Sequence, residues 1–315
     1  METAQTPIRS VAILGAGAMG CLFGARIAET GTRVVVIDLD AARLATIAAS
    51  GIVLTDDFGT RTVLVQAALA ADLRAPVDLI LLFTKGMHSA SAIASVAHLR
   101  AGGPIALTLQ NGIGNAELLA ESFGADRVVM GTALVPADLT GPRAVSSHGF
   151  ASISLGSMTP DGEAATDRVA ALLGSARFSV ARRADIAAAV WEKVAFNAAL
   201  NAIAMICEVP NGGIDNAPGR RIAEAVAAET AAVAAARGIA IDRASVVASI
   251  LAALRGHRDH KASMLHDREM GRPSEIETIN GAIAREGARL GVPTPVCDTL
   301  SDLVRIIEGK AAGWR

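Results

Sequence analysis

The amino-acid sequence predicts an α/β chain: a doubly wound parallel sheet in its first part and an all-helical second part. Three observations carry this reading. Short aliphatic runs alternate with helical stretches through the first third of the chain. A glycine-rich turn joins the first of these strands to the first helix. Strand signals then stop after about Arg183. Strands separated by helical patterns imply right-handed βαβ units and hence a parallel sheet.

Ser10–Leu14 reads as a strand and Met19–Glu29 as a helix. The apolar stretch Val11–Ala28 resembles a signal-peptide core, but its four glycines and its continuation into a second strand favour a folded βα unit. Arg33–Ile37 is a β-branched strand, and Asp40–Ser50 a helix that stops before Gly51. Val77–Phe83 is an almost unbroken apolar strand, as expected when both faces of a sheet are covered. Ile105–Leu109 and Val128–Met130 continue the series. From Thr132 to Gly156, apolar residues alternate with Gly, Ser and Thr, which predicts antiparallel strands finishing the domain.

In the second part, Asp185 is placed to N-cap a helix running to about Val209, where Pro210-Asn-Gly-Gly213 breaks it. Helices follow at Gly219–Arg237, Arg243–Arg255 and Ser263–Met270. Ser274-Glu-Ile-Glu277 has the form of a capping box and predicts a helix from there to about Leu290. A last helix spans Val296–Glu308. The expected domains are residues 1–184 and 185–315.

Composition narrows the function. With 51% hydrophobic residues the chain has ample material for a core, which excludes disorder over most of its length. Lys plus Arg is 29 against Asp plus Glu 31, and aromatics are 3% with no tyrosine, so no nucleic-acid partner is expected. The cysteines Cys21, Cys207 and Cys297 lie far apart and form no CxxC pair, which points to a reducing, cytoplasmic setting. No stretch of 18 residues is both apolar and free of charged or amide side chains, so no membrane partner is expected. His88, His148, His257 and His266 show no ligand spacing, so no metal is assigned. The apolar helical half suits a homodimer.

Gly15-Ala16-Gly17-Ala18-Met19-Gly20 matches G-x-G-x-x-G between a strand and a helix, the Rossmann-type dinucleotide fingerprint. Its glycines permit a tight turn, approach of a pyrophosphate, and close packing of helix on strand. Asp38 ends the second strand, 18 residues after Gly20. A carboxylate there accepts from the adenosine ribose and repels a 2′-phosphate, which favours NADH over NADPH; the competing reading is that Asp38 only caps the following turn. Arg43 is the nearest cation. Lys193, Asn197 and Asn201 follow at four-residue steps and share one stripe of a helix otherwise flanked by apolar residues. Such groups need partners. They form either a solvated face or the polar wall of a pocket, with a lysine able to give a proton.

Further segments recur in order: Phe83-Thr-Lys85, Gln110-Asn-Gly-Ile-Gly114, Trp191 to Asn197 through Asn201, Val209-Pro-Asn-Gly212, Ser263-Met-Leu-His-Asp267 and Arg272 to Gly281. Together with the fingerprint they make the chain resemble the ketopantoate reductase (2-dehydropantoate 2-reductase) family over its length. The resemblance implies reduction of a small-molecule 2-oxo acid by NAD(P)H, with the site in a cleft between the domains. It implies Lys193 as proton donor, with Glu275 beside the cofactor ribose and the reacting centre. Asn197, Asn201 and Asn211 would contact substrate, and Ser263 its carboxylate. Lys85 and Asn111 would close over the nicotinamide. The candidate cofactor-binding set is therefore Gly15, Ala16, Gly17, Ala18, Met19, Gly20, Asp38, Lys85, Asn111, Ala137 and Glu275. Two departures stand out. Members using NADPH carry an arginine near the end of the second strand, where this chain has Asp38 and Leu39. Some members have asparagine where this chain has His260, a substrate-contacting position. NADPH is thus the family default and NADH the reading of Asp38. The alternatives are a reductase of another branched or aromatic 2-oxo acid, and a non-catalytic dinucleotide sensor, which would be expected to lack Lys193.

Overall fold

A computed structural model of the chain describes residues 6–311. They form two compact units. The first runs up to Gln110 and resumes over Asn115–Ile186; the second joins Asn111–Gly114 to the residues from Ala187 on.

The first unit contains β1 (Ser10–Leu14), α1 (Ala18–Ala28), β2 (Arg33–Ile37), α2 (Ala41–Ser50), β3 (Ile52–Asp56), β4 (Gly59–Val63), β5 (Gln66–Ala68), β6 (Leu79–Leu82), α3 (Ser89–Ser95), β7 (Ile105–Thr108), α4 (Asn115–Phe123), β8 (Val128–Leu134), β9 (Asp138–Gly141), β10 (Ala144–Ser147), β11 (Ser152–Ser157), α5 (Glu163–Ser175) and β12 (Ser179–Arg182). Its main sheet has the order β12-β11-β8-β7-β6-β1-β2-β5. β1 pairs in parallel with β2 on one side and β6 on the other, so the strand order reverses there. Successive residues of a strand face opposite sides, and the cores divide accordingly. Val11, Ile13, Val34, Val36, Leu79 and Leu81 pack with α1 and α5. Ala12, Leu14, Val35, Ile37, Ile80 and Leu82 pack with α3 and α4. Covering both faces is what makes these strands continuous apolar runs.

The Thr132–Gly156 region holds antiparallel pairs, but they are shared between two sheets. β11 runs antiparallel to β8 in the main sheet. β9 and β10 belong to a second sheet of order β4-β3-β10-β9, in which β10 is parallel to β3. This small sheet is tied to α1 by charge. Buried Arg26 reaches buried Asp56 at 3.4 Å, Arg61 meets the same carboxylate at 2.6 Å, and Arg61 also pairs with Glu29. The Arg26 guanidinium lies 5.0 Å from the Phe178 ring centre.

The second unit is built from α6 (Ile186–Cys207), α7 (Asn211–Ile214), α8 (Ala217–Ala236), α9 (Arg243–Gly256), α10 (Ser263–Glu269), α11 (Asn280–Leu290) and α12 (Pro295–Ala311). α6 is apolar almost all round because it is the central helix: Trp191, Val194, Ala198, Leu200 and Met205 sit in one core with residues of the other helices. By length and hydropathy alone it is long enough to cross a membrane, and 61% of its most apolar window is buried inside the protein.

The capping box expected at Ser274 is not formed. The helix starts six residues later, at Asn280, after a run of turns. Glu277 does not reach back to Ser274, because Arg285 and Arg305 hold its carboxylate at 2.9 and 2.7 Å. The Ser274 N–H donates instead to Glu308, and its hydroxyl accepts from the Ile276 N–H. Long-range ion pairs thus outcompete a local motif.

Candidate functional site

In the first unit the fingerprint loop follows β1. Gly15 has φ +109°, and its N–H donates to the Ile37 carbonyl at 2.7 Å. A Cβ there would lie 2.9 Å from the backbone of Phe83 and Thr84, in the loop after β6. Only glycine combines this angle with this approach. The loop therefore sits where strand order reverses, the place where open α/β sheets bind ligands. A Cβ on Gly20 would lie 1.8 Å from the Gly15 carbonyl oxygen, so the first turn of α1 packs directly on the loop. At Gly17, the N-cap of α1, no side chain caps the helix and a Cβ would meet nothing within 4 Å. An open helix start of this kind suits an anionic group such as a pyrophosphate, which the N–H groups around Ala18 and Met19 would hold.

Asp38 does two things. Its Oδ1 accepts the N–H groups of Leu39 and Asp40 at 2.8 and 3.0 Å, closing the turn before α2. Its Oδ2 accepts the Ala16 N–H at 2.6 Å. Arg43, on the first turn of α2, donates to the Ala16 carbonyl at 2.9 Å. Both sides of the Ala16 residue are thus gripped by side chains of opposite charge, and the Asp38 carboxylate is fixed in orientation. Lys85 lies half-buried just before a short 3-10 turn, in a segment secured by Gln110, whose amide donates to the Thr84 carbonyl at 2.5 Å and to Ser89 at 3.1 Å. Ala137 lies in the loop after β8 and packs partly on the first core.

In the second unit Lys193 is half-buried on α6. Burial pushes its pKa from 10.5 down to about 8, while the Glu275 carboxylate acts in the opposite sense. The Asn111 amide donates to Glu275 at 3.3 Å and its carbonyl oxygen accepts from Asn197 at 3.4 Å. Lys193, Glu275, Asn111 and Asn197 therefore form one polar group. Buried Asn201 donates to the hydroxyl of exposed Ser263 at 3.1 Å. Asn211 is buried in α7; its N–H donates to the His260 carbonyl at 3.0 Å, while its side-chain oxygen has no partner. His260 is exposed and is tied to this group through its backbone. Among the described residues no three His, Cys, Asp or Glu side chains converge as metal ligands.

Two residues here escaped sequence reasoning. Asn280 is fully buried, donates to the Ala198 carbonyl of α6 at 3.0 Å, and leaves its own side-chain oxygen unpartnered. Its signal is an amide at the start of an otherwise core-facing helix. Thr278 accepts the Ile113 N–H at 3.1 Å through its carbonyl, a contact that no side-chain pattern announces.

Comparison with known proteins places the chain in a family. Residues 11–160 match the family model described as ketopantoate reductase PanE/ApbA, and residues 185–308 match its C-terminal counterpart. A 2-dehydropantoate 2-reductase of Halobacterium salinarum is 31% identical over 95% of this chain and 98% of its own length. Among solved structures, a ternary complex of D-mandelate dehydrogenase with NADH and anilino(oxo)acetate superposes with a TM-score of 0.89 at 28% identity, covering 96% of this chain and 99% of that one. The 2-dehydropantoate 2-reductase of Geobacter metallireducens gives a TM-score of 0.84 at 30% identity, with coverage of 95% and 99%. From the glycine loop after β1 to the lysine stripe of α6, this chain belongs to the ketopantoate reductase family.

Proposed function

We propose that the protein reduces the carbonyl of a 2-oxo acid with NAD(P)H, and that 2-dehydropantoate is its substrate. The observation that carries this is Lys193, half-buried beside Glu275 with a pKa near 8. Bound NAD(P)H supplies the hydride. Lys193 supplies the proton to the carbonyl oxygen. A pKa near the working pH suits a general acid, because the group is still largely charged yet holds its proton weakly. Glu275 keeps it charged, and Asn111 and Asn197 hold the surrounding hydrogen bonds. Ser263 accepts from Asn201, so its own hydroxyl proton is left to donate to a substrate carboxylate. The unpartnered Asn211 oxygen accepts from a substrate hydroxyl.

NADH is the cofactor this reading favours. Asp38 is pinned by three N–H groups, which supports a carboxylate held at the end of β2, where it would oppose a 2′-phosphate. A second reading, reduction of an aromatic or branched 2-oxo acid, is favoured by the similarity to a D-mandelate dehydrogenase. A panel of 2-oxo acids, assayed with NADH and NADPH by loss of absorbance, separates the two. Turnover of none of them would refute both and revive the sensor. Lys193→Ala is expected to lower kcat by ~10²–10⁴-fold with little change in cofactor affinity; full turnover in that variant would exclude Lys193 as the acid.

A further inference from the structure

We propose that Gly112 and Thr278 are positioning residues, a backbone clasp that holds the Asn111 amide on the Glu275 carboxylate. The chain at Gly112 has φ +89°, and a Cβ there would lie 2.2 Å from the Thr278 carbonyl oxygen and 2.8 Å from its carbon. No other residue lets the backbone press this closely. The next N–H, that of Ile113, donates to the same carbonyl at 3.1 Å. Thr278 is itself fixed to Glu275: its N–H and hydroxyl donate to the Glu275 carbonyl at 3.1 and 3.2 Å, and the Ile279 N–H donates there at 3.1 Å. The Asn111 side chain completes the circuit at 3.3 Å from the Glu275 carboxylate. Four backbone and side-chain links thus form a closed ring through residues 111, 113, 278 and 275. The ring explains why Asn111–Gly114 belong to the second unit although their sequence neighbours belong to the first.

What the clasp controls is the proton on Lys193. The Glu275 carboxylate acts on Lys193 and opposes the effect of burial. A carboxylate no longer held by Asn111 loses its fixed position, and the ammonium becomes harder to keep. The inference rests on Lys193 being the acid of the proposed reaction, so its test needs a measure independent of turnover. The pH dependence of Lys193 acylation by a small acylating reagent, read by mass spectrometry of the modified peptide, gives one; the alkaline limb of kcat gives the other.

The parent is expected to titrate near 8 in both. Gly112→Ala should lower both midpoints, with proton affinity falling about tenfold, and Thr278→Ala, which removes only the hydroxyl link, should lower them less. With Glu275→Gln in place, Gly112→Ala should produce no further shift. A Gly112→Ala enzyme with reduced kcat but an unmoved acylation midpoint would show a merely structural role and overturn the proposal. So would an equal shift in the Glu275→Gln background. If Gly112→Ala does not fold, an unmoved midpoint in Thr278→Ala overturns it instead. Full turnover in Lys193→Ala would exclude Lys193 as the acid of the proposed reaction, yet the acylation midpoints would still decide the clasp.

Discussion

Replacing Lys193 by methionine is expected to lower kcat by the same ~10²–10⁴-fold and, at neutral pH, to stabilise the protein. At about 1.4 kcal/mol for each tenfold change in proton affinity, the fall from 10.5 to about 8 corresponds to about 3 kcal/mol lost on burying the ammonium. The side chain is half-buried, and solvent screens part of that, so about 1–3 kcal/mol should be observed. Methionine has similar length and no charge to desolvate. Folding lowers the proton affinity of Lys193, so between about pH 8 and 10.5 the unfolded chain binds more protons than the folded one. Parent stability from this group therefore rises with pH across that window. The advantage of Lys193→Met should be full below pH 8 and vanish above 10.5. Urea denaturation of both proteins at pH 7, 9 and 10.5, analysed by linear extrapolation, measures this. A variant less stable than the parent at pH 7, or a difference that does not change with pH, would refute the reasoning.

In binding titrations the parent is expected to prefer NADH, and Asp38→Ser with Leu39→Arg to move the preference toward NADPH by ~10²-fold, since a 2′-phosphate brings about −1.5 to −2 charge against a fixed carboxylate; a parent preferring NADPH tenfold would show that Asp38 does not oppose it. Gly20→Ala forces a Cβ to within 1.8 Å of the Gly15 carbonyl oxygen. Loss of cofactor binding is expected with about 1–3 kcal/mol of stability, and unchanged Kd and Tm would contradict the packing described. Asp56→Asn leaves buried Arg26 without its counter-charge, and should destabilise by about 3–5 kcal/mol in denaturant unfolding; a change under about 1 kcal/mol would mean the network carries no weight.

The parallel strands were legible because burial on both faces leaves unbroken aliphatic runs: Ser10–Leu14 and Arg33–Ile37 are strands at the expected residues. The hairpin of β3 and β4 was not, because Gly59–Val63 is half-exposed and polar, with no apolar alternation to detect. α5 carries a weak signal for a related reason: it packs only part of its surface on a core already supplied by α1. In the second unit the helices are found close to their expected spans, except that the short α7 falls on the segment read only as a break, and the start expected at Ser274 is displaced where Arg285 and Arg305 hold Glu277. At the site, Lys193, Asn197 and Asn201 declare themselves by four-residue spacing. Glu275 entered only through family resemblance, since an acid near a helix start has an ordinary explanation. Gly112 against Thr278 is a backbone contact between distant segments, and sequence periodicity holds no trace of it.

The membership of Asn111–Gly114 in the second unit has a consequence for dividing the polypeptide. A fragment of residues 185–315 would carry Lys193, Asn197, Ser263 and Glu275 but lack the tetrapeptide whose Asn111 bonds Glu275. Its missing piece would arrive only with the N-terminal fragment, so reconstitution from the two halves would be measured as donation of a short loop into a helical host. A split placed before residue 111 would instead leave the helical host self-sufficient in these contacts. Tolerance to chain fission should therefore depend on which side of residues 111–114 the break falls, and not only on whether it falls in an exposed loop.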